Sequence, residues 1–377
     1  MSSAFAPGSW PTLLLLLLAF LGCAIGLSRA RPVLLRLLAG TGALLTATVL
    51  GISLVNTYYS YYSYYSSWAA LFADLREDNG ASASPALIPV RRPGLPAPAV
   101  AAAPAGRGRL VSLAMPGTVS GVRGRRALVW LPPQYDDPRF ATVRFPVLEL
   151  LHGDPGEPSS WTNGLDLPDV LNQEYARGTS APMVVVMPDV TGGFRLQQCL
   201  DAVRGPRLDT NLTADIPRDL AAWIRIDPPG PACAVGGLSE GGFCAARLAL
   251  RHRSDFGAAA VMDGYFHLQL TPSVRRALYG AAATPARDDP TALLAALPAG
   301  PPVPAFWLMA GTGNAHDYRE AITFATALGR REDLRFLTVI GGRHTTPAWQ
   351  AAFPDLLRWA AATVHGHPTY GQSSRHV

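Results

Sequence analysis

Two uncharged apolar runs dominate the beginning of the chain. They occupy residues 10–27 and 37–55, and each is close to the roughly 20 residues that a helix needs to cross a bilayer. Basic side chains lie between these runs or at their edge, whereas residues 1–9 carry none. These basic residues are Arg29, Arg31 and Arg36. The positive-inside rule therefore predicts a cytoplasmic loop, with both termini and the remainder of the chain outside the cell membrane.

A cleaved signal peptide is the alternative interpretation of the first run. Gly22 with Ala24, or Ala24 with Gly26, resembles a small-x-small cleavage site. No positive segment precedes the run, however, and a second long apolar run follows it. The pattern therefore favours a two-span transmembrane hairpin over residues 1–56 of a multi-pass membrane protein.

Residues 57–108 have the composition of a boundary segment and a spacer. Six tyrosines between Tyr58 and Tyr65 repeat with a period of three, which is typical of an interfacial aromatic belt. The alternative interpretation of these tyrosines is a surface that binds a lipid or glycan substrate. Residues 79–108 are rich in Ala, Pro and Gly without apolar periodicity, so they predict a semi-extended linker.

From residue 109 onward, short apolar runs alternate with helical stretches. The predicted strands are Arg126–Leu131, Val147–Leu151, Met183–Met187, Ala232–Leu238, Ala258–Met262, Ala305–Met309 and Arg335–Ile340. The predicted helices are Leu167–Tyr175, Ala214–Ile226, Glu240–Arg253, Tyr318–Leu328 and Pro347–Thr363. This alternation predicts an α/β domain over residues 109–366, with a mainly parallel sheet covered on both faces and a polar tail at 367–377.

The centre of this domain carries the sequence ACAVGGLSEGGFCAAR at residues 232–247. It predicts a strand, a sharp turn at Ser239 and a helix, with Gly237 and Gly241 in the G-x-S-x-G spacing of a nucleophile elbow. Only glycines at those positions leave room for the strand and the helix to approach each other. A glycine-rich turn that happens to contain a serine is the alternative, so the rest of the site must support Ser239 as the nucleophile.

A second glycine-rich turn follows an earlier strand, in the sequence FPVLELLHGDPG. In hydrolases of this architecture, the loop at this position donates one backbone N–H to the oxyanion, and the residue after the serine donates the other. The predicted donors are therefore the backbone N–H groups of Asp154 and Glu240. The side chain of His152 can close the turn without affecting that role.

The general base and its carboxylate partner are expected after the last two strands. His344 lies in the glycine-rich loop of RFLTVIGGRHTTPAW, just before a helix, and completes the order Ser, acid, His. Asp317 is the first choice for the acid because it is predicted to lie in the loop after the preceding strand. Asp263 and Glu320 remain as alternatives, since spacing does not fix the geometry of a loop.

Three of the four cysteines lie in the α/β domain. Cys233 is about 20 Å along the strand from Ser239 at about 3.3 Å per residue, whereas Cys244 is only about 7 Å into the helix. A disulfide requires Cα atoms about 6 Å apart, so these two cysteines are not expected to pair. Cys199 with Cys244 is the predicted bridge, in keeping with an oxidising exterior, and three buried thiols are the alternative.

Several stretches together resemble the esterase family that contains esterase D-like hydrolases and mycobacterial mycolyltransferases, and more narrowly its actinobacterial membrane-anchored branch. The stretches are LLHGDPG at 150–156, MPDV at 187–190, residues 199–224, AVGGLSEGGFCAARLAL at 234–250 and GGRH at 341–344. This resemblance implies an α/β-hydrolase fold, a Ser, carboxylate, His triad, carboxylic-ester substrates and no metal or other cofactor.

Composition excludes other classes of enzyme. All 32 basic residues are arginine, and the absence of lysine excludes a Walker phosphate loop and Schiff-base chemistry. No basic run with interleaved aromatic residues indicates nucleic-acid binding. A metallohydrolase is disfavoured because its candidate ligands lack metal-binding spacing. Those ligands would be His152, Asp154, His316 and His344.

The sequence therefore predicts a membrane-attached serine esterase or acyltransferase outside the cytoplasm. Its substrate is expected to be a carboxylic ester, with a lipid or glycolipid among the candidates. An acyl-enzyme on Ser239 would pass its acyl group to water or, as in mycolyl transfer, to a sugar or lipid hydroxyl. A surface-binding module that kept the fold and lost the chemistry is the alternative from another functional class.

Overall fold

The structure is a computed structural model that describes residues 10–29, 32–58, 87–88, 106–190, 198–281, 288–298, 303–329 and 334–364. The tyrosine repeat beyond Tyr58, most of the 79–108 linker and the 367–377 tail lie outside these residues. The chain divides into two compact units. One comprises the described parts of 1–83 with residues 343–349, and the other comprises those of 84–342 and 350–377.

The first unit contains a helical hairpin, as the two apolar runs predict. Helices α1 (Trp10–Arg29) and α2 (Val33–Tyr58) pack against each other and expose many leucine side chains. By length and composition, the segments Pro11–Arg29 and Val33–Leu54 are long and apolar enough to cross a membrane. Arg36 lies in the first turn of α2, at the edge of the second apolar run.

Nine strands in the described residues of the second unit form one sheet. They are β1 (Leu87–Ile88), β2 (Arg109–Met115), β3 (Arg125–Leu131), β4 (Val147–Leu151), β5 (Val184–Pro188), β6 (Gly230–Leu238), β7 (Phe256–Met262), β8 (Ala305–Gly311) and β9 (Leu334–Val339). Their order is β1-β2-β3-β5-β4-β6-β7-β8-β9. The pairs β2–β3 and β3–β5 are antiparallel, and all the others are parallel. The mainly parallel sheet confirms the predicted α/β architecture.

Short connecting helices cover this sheet. They are α3 (Leu167–Arg177), α4 (Ile216–Ala221), α5 (Glu240–Arg251), α6 (Pro272–Tyr279), α7 (Pro290–Ala296), α8 (Ala315–Leu328) and α9 (Thr346–Val364). Shorter turns of α, 3₁₀ or π type complete the described set: Pro133–Asp136, Pro138–Phe140, Ser160–Gly164, Leu208–Thr210 and Asn211–Asp215. Strands β4 and β5 are buried along their whole length, as expected for the centre of a parallel sheet.

The structure corrects several predicted elements. β2, α6 and α7 were not predicted, and residues 87–88 of the predicted linker pair with β2. The helix predicted to reach Ile226 ends at Ala221 instead. Ile226 forms a β-bridge with Phe145, so tertiary pairing replaces the last helical turn.

Candidate active site

Ser239 lies on the sharp turn between β6 and α5. Its backbone has φ 55° and ψ −119°, a strained conformation for a residue with a side chain. The Ser239 N–H donates to the carbonyl of Met262 at 3.0 Å, which fixes the turn to β7. A Cβ on Gly241 would lie 1.9 Å from the carbonyl oxygen of Leu151, so only glycine fits where the helix passes β4. The sequence motif thus has the strand, turn and helix of a nucleophile elbow.

The loop after β4 lies directly against this turn. A Cβ on Gly153 would approach the Cβ of Ser239 to 3.1 Å, which places Asp154 beside the serine. The fully buried His152 supports the loop: its Nδ1 donates to the Gly153 carbonyl at 2.8 Å, while its Nε2 accepts from the Val190 N–H at 3.1 Å. His152 therefore links the loops after β4 and β5. Its side chain has a structural role in the turn, which leaves the backbone role predicted for Asp154 unaffected.

The side chain of Glu240, which follows the serine, is buried and only 6% exposed. Its Oε1 accepts a hydrogen bond of 2.6 Å from the backbone N–H of Gln198, whereas its Oε2 has no hydrogen-bond partner among the described residues. Burial, together with a smaller effect of the nearby Asp154, raises the pKa of Glu240 to about 7 against the lowering effect of the Gln198 bond. A carboxyl group that titrates near neutral pH thus adjoins the candidate nucleophile.

The disulfide predicted from the sequence lies in the same region as Ser239 and Glu240. Cys199 and Cys244 are bonded with their Cα atoms 5.6 Å apart, and Cys23 and Cys233 are free thiols. The bridge ties the segment after β5 to helix α5, one turn beyond Glu240. The side-chain amide of Gln198 also exchanges two hydrogen bonds of 2.8 Å with the backbone of Gln269. Covalent and polar contacts therefore hold the segments around Ser239 together.

Tyr265 adds a hydroxyl group to this region and was not among the residues predicted from the sequence. Its ring stacks on Phe243 with centroids 5.0 Å apart, and its buried hydroxyl has no hydrogen-bond partner among the described residues. Burial raises the Tyr265 pKa well above its usual value, and the charges of Glu240, Asp154 and Glu320 raise it further. No sequence motif marks this tyrosine, because its position depends on packing after β7.

The three candidate acids occupy different environments. Asp317 lies in the first turn of α8 and not in the preceding loop, which corrects the sequence prediction. Its carboxylate accepts a hydrogen bond from the Asn314 side chain, and it lies 3.2 Å from Nδ1 of His316. Glu320 accepts a hydrogen bond from the N–H of Phe266 at 3.2 Å. Asp263 is buried, with φ 52°, and its N–H donates to the Met309 carbonyl.

His344 belongs to the segment 343–349 of the first unit, immediately before α9. Its side chain is buried, and Trp349 meets it edge-on with ring centroids 5.0 Å apart. The aromatic contact restricts the orientation of the imidazole. Its role as general base, and that of Asp317 as its partner, stay predictions.

The family comparison covers most of the α/β unit. Residues 122–360 match the model of the family described as Putative esterase. The matched region includes Ser239, Asp317 and His344. No group of His, Cys, Asp and Glu side chains in the described residues could hold a metal ion.

Individual proteins are similar to parts of the chain. An uncharacterized protein of Corynebacterium glutamicum is 29% identical over 163 residues, a match covering 42% of this chain and only 37% of that relative. A fluorophosphonate-binding serine hydrolase of Staphylococcus aureus has a TM-score of 0.57 at 18% identity, covering 68% of this chain and 99% of its own. An S-formylglutathione hydrolase of Agrobacterium tumefaciens has a TM-score of 0.55 at 17% identity, covering 70% and 98%. These structural likenesses establish the α/β-hydrolase fold.

Proposed function

Because the chain belongs to the Esterase family, we propose that it is a membrane-anchored serine esterase or acyltransferase that cleaves carboxylic esters through an acyl-enzyme. The observation that carries this proposal is the strained turn at Ser239, which Gly241 allows to lie against β4. A residue held in a strained backbone conformation is typical of a functional site.

In this proposal, Ser239 Oγ attacks the ester carbonyl carbon while His344 takes its proton. The developing oxyanion accepts hydrogen bonds from the backbone N–H groups of Asp154 and Glu240. The tetrahedral intermediate collapses by releasing the alcohol, which receives the proton from His344. Asp317 orients the imidazole through the other ring nitrogen. Water, or a hydroxyl of a sugar or lipid, then removes the acyl group from Ser239.

We place the catalytic unit outside the cytoplasmic membrane. The apolar helices α1 and α2 support anchoring, and the arginines around the short connection between them support a cytoplasmic loop. The Cys199–Cys244 disulfide supports an oxidising compartment for the α/β unit. The substrate would then be an ester of the cell envelope, with a lipid or glycolipid as the candidate class.

The test is a pre-steady-state assay on the full chain in detergent micelles with p-nitrophenyl esters of short and long acyl chains. We expect a burst of about one p-nitrophenol per active site, and Ser239→Ala should abolish it and lower turnover by about 10⁴-fold or more. Ser273→Ala, which changes an exposed serine of α6, is the matched control.

Two additions separate the alternatives. A fluorophosphonate probe should label the wild-type chain and not Ser239→Ala; a folded wild-type chain with neither labelling nor turnover would indicate the binding module instead. Added glycerol or trehalose should accelerate p-nitrophenol release after the burst if a hydroxyl resolves the acyl-enzyme, and should leave it unchanged if water does.

A further inference from the structure

A small cavity lies toward the amino ends of β4 and β6, on the side of the sheet covered by α4. Its volume is about 30 Å³ and it is partly open to solvent. Ser239 lies at the carboxyl end of β6, so the cavity is separate from the candidate active site. Apolar side chains form most of the wall, notably those of Val147, Ile216, Leu220 and Phe256.

Glu149 of β4 lines this cavity and is 3% exposed. Its neighbours across the sheet are Val186 and Val235. It has no hydrogen-bond partner among the described residues, and its Oε1 is completely buried. Glu174, which is 2% exposed, instead bonds to Thr179 and to Arg358. A buried carboxyl group without a partner costs free energy, so a group that completes its bonding would be stabilising.

The other polar groups that line the cavity indicate which charge a bound ligand should carry. Asp227 and Asp255 also line it, and none of the lining residues is basic. The Cys233 thiol lies among these carboxyl groups and donates to the Pro228 carbonyl at 3.5 Å. Burial raises the Cys233 pKa to about 12, and the three carboxyl groups contribute in the same direction. The cavity therefore favours a cation.

Arg144 and His252 contact residues that line the cavity, and both have partners. Arg144 donates to the Ile226 carbonyl at 2.9 Å. His252 lies 2.8 Å from Asp209 and 3.9 Å from Asp255. Neither residue lines the cavity, so neither provides a positive charge that could pair with the Glu149 carboxylate.

We propose that this cavity binds a short primary alkylammonium ion, with its ammonium group on Glu149 and its alkyl group against Val147, Ile216 and Leu220. Thr213 also lines the cavity, and because its Oγ1 donates to the Asp209 carbonyl, the oxygen can still accept a second N–H of the ion. Ca²⁺ and Mg²⁺ prefer six or more oxygen ligands, which the apolar wall does not offer. A cavity of 30 Å³ holds about two water-sized groups, which fits methylammonium or ethylammonium.

The reaction rate of the Cys233 thiol, which lines the cavity, measures whether a cation enters it. In the full chain carrying Cys23→Ser, Cys233 is the remaining free thiol, because Cys199 and Cys244 are bridged. Labelling in detergent micelles is compared for cationic 2-aminoethyl methanethiosulfonate and neutral methyl methanethiosulfonate, each normalised to its rate with a small thiol in solution. At pH 8.5, above the Glu149 pKa of about 8, we expect the cationic reagent to react about tenfold faster after normalisation, because the ionised carboxyl groups concentrate it. Glu149→Gln should reduce this preference toward one, and the exposed-site control Glu157→Gln should not.

Protection supplies a second measurement that needs no substitution in the cavity. Ethylammonium chloride should protect Cys233 from the neutral reagent with a saturable concentration dependence, whereas ethanol or sodium chloride at equal concentration should not. Equal normalised rates for the two reagents, equal protection by sodium chloride, or a preference that survives Glu149→Gln would each overturn the proposal.

Discussion

Glu240 and Glu149 are both buried glutamates of the sheet domain, but their surroundings differ. Glu240 lies where β6 ends, and its carboxyl group holds the backbone N–H of Gln198. Glu149 lies within β4 among apolar side chains and has no such bond among the described residues. Burial raises the pKa of both, to about 7 for Glu240 and about 8 for Glu149.

The difference shows how the fold uses the two ends of its parallel strands. At the carboxyl ends, loops after β4, β5 and β6 meet, and backbone strain, a disulfide and hydrogen bonds fix a polar site around Ser239. Toward the amino ends, α4 packs on the sheet through apolar side chains, and Glu149 is the carboxyl group of the small cavity that has no hydrogen-bond partner among the described residues. Loops that meet at one end of the sheet have backbone groups available to hydrogen-bond a buried polar side chain. In the centre of a strand, the backbone groups of the neighbouring strands are already used in the sheet.

The largest expected effect separates the candidate acids of the carboxyl end. Asp317→Asn should lower kcat for a p-nitrophenyl ester by about 10⁴-fold, because the imidazole would lose the partner that fixes its tautomer. Asp263→Asn should lower it by less than about tenfold. Asp136→Asn, a surface residue paired with Arg109, is the control. A larger loss in Asp263→Asn than in Asp317→Asn would transfer the role to Asp263.

A smaller effect is expected at the amino end, on stability. Because the folded state raises the Glu149 pKa from 4.5 to about 8, it binds more protons than the unfolded state between those pH values. Stability should therefore fall by about 1.4 kcal/mol per pH unit as pH rises through this window, and level off above it. Glu149→Gln should remove this contribution, whereas the contribution of Glu240, which has the same sign, remains in both chains up to about pH 7. Urea unfolding of both chains without added amine, from pH 5 to pH 9, measures the difference.

The control for that measurement is the paired glutamate of α3. Glu174→Gln removes a charge that bonds to Arg358, so we expect it to lower the free energy of unfolding by about 1–2 kcal/mol at pH 7. Glu149→Gln should instead be as stable as the wild type at pH 5 and more stable at pH 9. Equal destabilisation by the two substitutions would contradict the contrast between paired and unpaired carboxyl groups.

The smallest effect concerns Glu240 and activity. Once ionised above pH 7, its carboxylate would repel the oxyanion that forms beside Ser239, with Asp154 adding to the negative charge. The kcat/KM of the wild type should fall toward pH 9, and Glu240→Gln should be about tenfold more active there, a difference of about 1.4 kcal/mol. Glu157→Gln is the control. Identical alkaline limbs in wild type and Glu240→Gln would show that this carboxyl group does not act on the oxyanion.

Much of the fold and part of the site were predictable from local patterns. The strand Val147–Leu151 has the predicted bounds, because an apolar run of this length between turn residues has few other structures open to it. The elbow at Ser239 follows from the G-x-S-x-G spacing. The fixed distances along a strand and a helix excluded a Cys233–Cys244 bridge, and the predicted Cys199–Cys244 bridge is present. The unpredicted α6 and α7 are short helices whose apolar positions are too few to show a period.

Tertiary structure decided where individual polar groups find partners. The sequence determined that a strand contains Glu149 and that Glu240 follows the serine, but not that Gln198 bonds to one while the other has no bond among the described residues. It placed Asp317 in a loop, whereas Asn314 caps the helix early and draws Asp317 into its first turn. Periodicity and spacing describe neighbours along the chain, whereas burial and hydrogen bonding depend on residues that are distant in sequence, and these contacts exist only after the sheet has formed.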